Sequence, residues 1–244
     1  MLEVKNVSKK FKDFTAIENI NLSFENGVYG LLAPNGAGKT TLMKTIVTLL
    51  MPSSGEILYN GTNINELDDK YREIVGYLPQ KFGYYKEDTP VKFLKYMAAL
   101  NGVDKKIAVE RCDKLLELVG LNDVKNKKMK KFSGGMIQRV GIANALMNDP
   151  EIIILDEPTA GLDPMERVRF RNIIASLGKE KTVILSTHIV SDIESIADEI
   201  ILIKDKHILC CDTLENVCKL NTQKENSNLE DAFMYIYGGD NYGI

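Results

Sequence analysis

The sequence predicts a layered α/β fold with a helical lobe inserted into the layers. Three observations predict it. Strand-like and helix-like segments alternate along most of the 244 residues. A short apolar run, Val28-Tyr29-Gly30-Leu31-Leu32, leads into a Gly-rich turn and then a helical pattern. Between Pro90 and Gly120 the pattern becomes purely helical. At roughly 150 residues per domain, this length holds one large domain and a smaller lobe.

Each element has its own reason. Residues 28–32 read as a buried strand because they are apolar throughout and end at a turn. After Gly38, Leu42, Ile46, Leu49 and Leu50 fall on one face of a helix, which Pro52-Ser53-Ser54-Gly55 stops. Further strands are predicted at 74–78, 152–155, 182–186 and 200–203. In the helical stretch Ala108, Cys112, Leu115, Leu116 and Val119 recur at helical spacing, with Gly120 where a capping glycine belongs. The lobe is predicted over roughly 81–135. Residues 221–228 are polar and read as a linker, and Leu229, Phe233 and Ile236 predict a short amphipathic helix beyond it. The division is therefore a domain over 1–220 and a tail over 221–244.

Composition removes several classes of function. Lys and Arg number 31 against 34 Asp and Glu, a formal charge of −3, so no nucleic-acid partner is expected. A hydrophobic share of 44 % rules out wholesale disorder. Cys112, Cys210, Cys211 and Cys218 have no CxxC spacing, which argues against a disulfide framework or zinc site and for a reduced, cytosolic setting. The apolar runs at 152–155 and 200–203 fall far short of the ~18 residues a membrane span needs. Met1-Leu2-Glu3-Val4-Lys5 alternates in polarity and does not open a signal peptide. The chain is not expected to cross a membrane by itself.

Three motifs carry chemistry. Ala33-Pro34-Asn35-Gly36-Ala37-Gly38-Lys39-Thr40-Thr41 follows the phosphate-loop pattern G-x-x-x-x-G-K-[ST], with Ala33 in place of the first glycine. Gly36 and Gly38 let successive N–H groups turn inward around a phosphate, and the helix N-terminus adds partial positive charge. Lys39 then reaches the β- and γ-phosphates and the Thr40 hydroxyl ligates Mg²⁺. Ala33 suits the negative φ expected at a strand end. The second motif, Ile152-Ile153-Ile154-Leu155-Asp156-Glu157-Pro158, is an apolar strand ending in two carboxylates. In a parallel sheet such residues face the ligand crevice, so Asp156 is a Mg²⁺ ligand, direct or through water, and Glu157 a general base. The third, Phe132-Ser133-Gly134-Gly135-Met136-Ile137-Gln138-Arg139, is another anion nest at a helix start, with Met136, Val140, Ala143 and Met147 along its buried face. One nucleotide needs only one phosphate loop. A second nest points to a second ligand or to a half-site offered to a partner.

With these residues in place, the chain resembles the nucleotide-binding subunit of an ATP-binding-cassette (ABC) transporter, from residue 2 to about 218. Residues 133–139 resemble the family signature LSGGQ, with Phe132 for Leu and Met136 for Gln. Gln80, after Gly76-Tyr77-Leu78-Pro79, matches the Q-loop that senses Mg²⁺ and the transmembrane partner. Gly161-Leu162-Asp163 matches the D-loop, and His188, after Leu185-Ser186-Thr187, the switch histidine. Phe11 lies where the family places an aromatic that stacks on adenine, with Phe14 the second candidate. The resemblance implies a P-loop NTPase core with an N-terminal antiparallel β subdomain. It implies ATP and Mg²⁺ as ligands, with Glu157, His188 and Gln80 catalytic and Thr40, Gln80 and Asp156 around the metal. Asn35, Gly36, Ala37, Gly38, Lys39, Thr40 and Thr41 then hold the nucleotide. Ser133, Gly134, Gly135 and Asp163 meet it from a second copy, head to tail.

The implied partners are a second nucleotide-binding subunit, identical or not, and a membrane permease that places this chain on the inner face of the cell membrane. The LPQ at 78–80 and the tail at 229–233 are similar to short ATPase chains serving export-type permeases. A long regulatory domain of the sugar-importer kind is not expected after residue 218, and export is the expected direction. The alternative is a soluble ABC ATPase acting on a macromolecular complex, but the stretch between Gln80 and Ser133 is too short for a long arm. A GTPase would carry NKxD, and Asn126-Lys127-Lys128-Met129 lacks the aspartate. A non-catalytic regulatory subunit fits poorly with both Glu157 and His188 present. Two features stay open at this stage. Lys125, Lys127, Lys128, Lys130 and Lys131 form a solvated face or a phospholipid contact. Phe82, Tyr84 and Tyr85 belong to the lobe core or to a groove for a partner helix.

Overall fold

The computed structural model describes residues 1–224 and 226–238; Glu225 and residues 239–244, part of the predicted tail, lie outside the described residues. The chain opens with an antiparallel hairpin, β1 (Leu2–Phe11) and β2 (Phe14–Phe24), and enters β3 (Gly27–Leu32). The phosphate-loop motif leads into α1 (Lys39–Ile46). Then follow β4 (Ser54–Tyr59), β5 (Thr62–Asn63), the short helices α2 (Ile64–Leu67) and α3 (Asp69–Glu73), and β6 (Val75–Leu78). The lobe consists of α4 (Pro90–Leu100), α5 (Lys105–Leu118) and the start of α6 (Gly134–Ala145). The chain returns through β7 (Ile152–Asp156), α7 (Pro164–Gly178), β8 (Thr182–Thr187) and α8 (Val190–Ile193). It ends in a hairpin of β9 (Glu199–Lys204) and β10 (His207–Asp212), then α9 (Leu214–Cys218) and α10 (Leu229–Tyr237).

Two sheets result. One is antiparallel, ordered β2-β1-β4-β5; the other is ordered β10-β9-β3-β8-β7-β6 and parallel except for β10. The parallel strands are buried on both faces, which is why their sequences are apolar without alternation. Their side chains still divide by parity. Ile153, Leu155, Val183 and Leu185 enter the core shared with the lobe helices and α7. Ile152, Ile154, Ile184 and Leu31 enter the core shared with α1 and the antiparallel sheet. Continuing that parity puts Asp156 and Ser186, register partners on β7 and β8, on the α1 face. The carboxyl ends of β3, β6, β7 and β8 thus converge where the loop before α1 begins.

α1 is shorter than its apolar pattern predicts. Leu49 and Leu50 do not continue it; Leu49 is exposed. Thr48 takes φ +62° just past the helix end, the Leu49 amide donates to the Lys44 carbonyl (2.9 Å) and the Thr48 amide to the Thr45 carbonyl (3.2 Å). That double closure is a Schellman-type stop, which turns the chain before Leu49 can face inward.

The packing of the lobe divides both groups of residues. Phe82 packs edge-on against Phe93 at 5.7 Å and joins the main core with Tyr84, whereas Tyr85 stays exposed beside Tyr96. Lys128 and Lys130 pair with Glu87, and Lys125 with Asp113, so part of the basic run is neutralised within the lobe. The tail helix α10 starts at a capping box, Asn228 with Asp231, and Tyr237 donates to the Ile203 carbonyl at 2.9 Å. Among the described residues no helix is long and apolar enough to cross a membrane.

Candidate nucleotide site

A cleft of about 430 Å³ opens where these strand ends converge. Asn35, Gly36, Gly38, Lys39, Thr40, Thr41, Gln80 and Glu157 line it, with Phe14 and Ala16 at one side. Gly38 is obligatory there. It has φ +106°, and a Cβ at this position would stand 2.7 Å from the Ala16 carbonyl oxygen and 2.6 Å from Ile17 Cγ2. The Ala37 amide donates to the Pro34 carbonyl at 3.3 Å, closing the turn. Ala33 is buried with a negative φ, as its place at the strand end requires.

Lys39 is only 6 % exposed and bends back over its own loop. Its Nζ donates to the Ala33 carbonyl at 2.5 Å and the Pro34 carbonyl at 3.2 Å, and lies 3.9 Å from Glu157 Oε1. Burial lowers its pKa, with the charges of Glu157 and Asp156 pulling the other way. A buried ammonium beside two carboxylates, next to an open loop of amides, suits an anion of several charges.

The acidic pair at the end of β7 is held by β8. Ser186 Oγ donates to Asp156 Oδ1 at 2.6 Å and accepts from the Glu157 amide at 3.0 Å. Glu157 adopts φ +51°, a left-handed conformation that costs a non-glycine residue about 1–3 kcal/mol. That turn sends Glu157 toward the cleft rather than along the strand. Its Oε2 lies 2.8 Å from His188 Nδ1. Asp156 Oδ2 is buried without a hydrogen-bond partner among the described residues, although the carboxyl group is 1 % exposed. With the Thr40 hydroxyl and the Gln80 side chain lining the cleft, this orphan oxygen, whose carboxylate charge acts on Lys39, offers an all-oxygen donor set, which fits Mg²⁺.

The second nest lies elsewhere on the chain. Ser133 caps α6, its Oγ accepting from the Met136 amide at 3.2 Å, and Ser133 and Gly134 are exposed. Gly135 is buried against the Glu166 carboxylate, where a Cβ would meet Oε2 at 2.1 Å. Glu166 in turn accepts from Arg139 Nη2 at 2.7 Å, and Asp163 caps α7 by accepting from the Glu166 amide at 2.8 Å. The Ser133 nest and Asp163 therefore form one rim, and neither lines the Lys39 cleft. A profile described as ABC transporter matches residues 17–160, more than half of the chain. The chain belongs to the ABC transporter family.

Relatives within that family are close. The chain is 41 % identical over 80 % of its length to an ABC transporter ATP-binding protein of Nostoc sp., and the match spans 58 % of that protein. It is 37 % identical over 95 % of its length to the bacitracin transport ATP-binding protein BcrA of Enterococcus faecalis, covering 75 % of it. A dimeric ATP-binding cassette solved in a post-hydrolysis state, bound to ADP and Pi, shares the fold. It aligns with a TM-score of 0.79 at 28 % identity, over 88 % of this chain and 99 % of that one.

Within this ABC fold, Asn35, Gly36, Gly38, Lys39, Thr40, Thr41, Gln80 and Glu157 line one cleft; Asp156 adjoins it behind Ser186, and His188 through Glu157, and Ser133, Gly134, Gly135 and Asp163 lie outside it. Ala37 contributes its turn rather than a lining side chain. The aromatic assignment shifts. Phe14, not Phe11, borders the cleft, while Lys9 Nζ stands 5.1 Å over the Phe11 ring. The two rings are direct cross-strand partners at the hairpin tip, so one turn presents both. Ser186, Arg139 and Glu166 are functional neighbours that the motif reading did not assign. For Ser186 the usable signal was parity, two residues beyond Ile184 on a strand pairing with β7.

Proposed function

We propose that this chain binds Mg²⁺-ATP in the Lys39 cleft and hydrolyses it, as one of two nucleotide-binding subunits driving a separate membrane permease. The observation that carries the reading is the division of the site. The phosphate loop and Glu157 line one cleft, with Asp156 and His188 directly behind them, while a second anion nest stands exposed on another rim. A head-to-tail pair of copies would bring each cleft against the partner's nest, an arrangement with twofold self-complementarity. The dimeric, ADP- and Pi-bound relative supports that pairing.

The steps then follow from the residues. The loop amides and Lys39 bind the β- and γ-phosphates, and Lys39 exchanges its carbonyl contacts for phosphate oxygens. Thr40, Asp156 and Gln80 would hold Mg²⁺, which would supply positive charge to offset that of the phosphates. Glu157 accepts the proton of the attacking water, and His188 holds the γ-phosphate edge while keeping Glu157 oriented. Loss of the γ-phosphate removes what joins the Ser133 nest to the opposite cleft, and the pair opens. Gln80, leading from the cleft into the lobe, passes the change to the permease. Export is the direction we infer, on the likeness to a bacitracin transport subunit and the 229–233 tail. The chain is then peripheral on the cytoplasmic membrane face.

Adenine is assigned to the hairpin tip. The double variant Phe11→Ala/Phe14→Ala is expected to raise the Kd for ATP about tenfold, within the ~1–3 kcal/mol of a base–aromatic stack. Equilibrium titration checks it, and the single variants apportion the effect. An unchanged Kd in the double variant would remove the hairpin from the site. The overall reading is tested by ATP turnover of the purified chain, alone and with its co-purifying membrane protein.

A further inference from the structure

Asp192 is the most deeply buried charged side chain outside the cleft, at 0 % exposure on the one-turn helix α8. Neither of its carboxylate oxygens has a hydrogen-bond partner among the described residues. Two guanidinium groups from α7 stand at the edge of contact, Arg167 Nη1 3.9 Å from Oδ2 and Arg171 Nη1 4.0 Å from Oδ1. Each arginine also holds a loop. Arg167 Nε donates to the Leu162 carbonyl at 3.3 Å, inside Gly161-Leu162-Asp163. Arg171 Nη1 donates to the Ser191 carbonyl at 3.1 Å, and the Asp192 amide donates to the Ile189 carbonyl at 3.1 Å, next to His188.

A wholly buried carboxylate is weak as a stabilising device, because desolvation offsets most of its attraction to its partners. Its best-attested use is to set the register between elements. Here the elements are two loops of the proposed site. α8 begins two residues after His188; α7 begins directly after Leu162 and Asp163, with Asp163 as its N-cap, and one residue before Arg167 it carries Glu166, bonded to Arg139 of the second nest. The separations near 4 Å leave each guanidinium room to close into direct contact with the carboxylate.

We propose that Asp192, lying between Arg167 and Arg171, is a positioning residue that couples His188 to the 161–163 loop. When a partner copy loads that loop, α7 and α8 shift together and His188 is set against the γ-phosphate. The inference rests on the ATPase reading above and adds to it a path from the dimer rim to the histidine.

The test is steady-state ATP turnover by wild type, Asp192→Asn and Asp192→Glu, with thermal melts alongside. Asp192→Asn is expected to lower kcat about tenfold with KM within twofold of wild type, and Asp192→Glu to recover most of the loss. In a His188→Ala background, followed by single-turnover assay, Asp192→Asn should change the residual rate less than twofold, because its effect passes through the histidine. A merely structural role would lower both backgrounds alike. Should Asp192→Asn fail to fold, Arg167→Gln at its half-exposed site is expected to show the same split between kcat and KM. A kcat within twofold of wild type, or an undiminished effect in the His188→Ala background, overturns the relay while leaving the ATPase reading intact. Absence of turnover in wild type overturns both.

Discussion

Glu157→Gln is expected to bind ATP normally and to turn it over about 10²–10⁴-fold more slowly, the range supplied by a positioned general base. The amide keeps the size of the side chain and a polar contact with His188 Nδ1, which now stands 2.8 Å from Oε2. What it cannot do is take a proton. A second consequence concerns Lys39, whose pKa burial lowers and the Glu157 charge holds up. Without that charge the ammonium is held less firmly in the empty cleft, and the bound phosphates become its main compensation. The variant should therefore accumulate an ATP-bound dimer that persists. Phosphate release and size-exclusion chromatography with Mg²⁺-ATP check both halves of the expectation. Turnover at the wild-type rate would remove Glu157 from the chemistry.

Gly134→Asp should be as severe by a different route. Gly134 is exposed, and no atom lies within 4 Å of where its Cβ would stand. It begins α6, where an acidic residue is favourable by about 0.3–1 kcal/mol. The fold should therefore be unharmed, with a melting temperature equal to or slightly above wild type. The new carboxylate, however, occupies the nest that is proposed to receive the partner's γ-phosphate. Like-charge juxtaposition at an interface costs several kcal/mol. ATP binding to the Lys39 cleft should survive while the ATP-dependent dimer and turnover are lost. Loss of nucleotide binding by the isolated chain would instead show that the nest belongs to the same cleft.

The parts of the site legible in the sequence are those written as contiguous motifs. The loop at 33–41 and the acidic pair at 156–157 announce themselves because turn, strand and helix are consecutive. The fold class was legible for the same reason, since β3, β7, β8 and β9 are short apolar runs bounded by turns. What escaped is set by pairing between distant segments. Ser186 acts because register places it beside Asp156, a fact of the β7–β8 ladder. Asp192 stands in sequence among the polar residues Ser191, Glu194 and Ser195, and packing beside α7 leaves it wholly buried. The sequence favours Phe11 over Phe14, whereas Phe14 borders the cleft; spacing cannot separate two rings that face each other across one turn. Leu49 and Leu50 misled because helical spacing cannot register the backbone stop at Thr48.

The proposal that each ATP is shared between two copies has a direct measurement. Lys39→Ala removes the phosphate-binding ammonium from one cleft, and Gly134→Asp blocks one nest; each variant assayed alone should be inactive. Mixed in equal amounts, they can form a pair in which the intact cleft of the Gly134→Asp chain meets the intact nest of the Lys39→Ala chain. Phosphate release from the mixture should then rise well above the sum of the two separate assays. A mixture no more active than that sum, from variants shown to be folded, would contradict a site completed by a second copy of this chain.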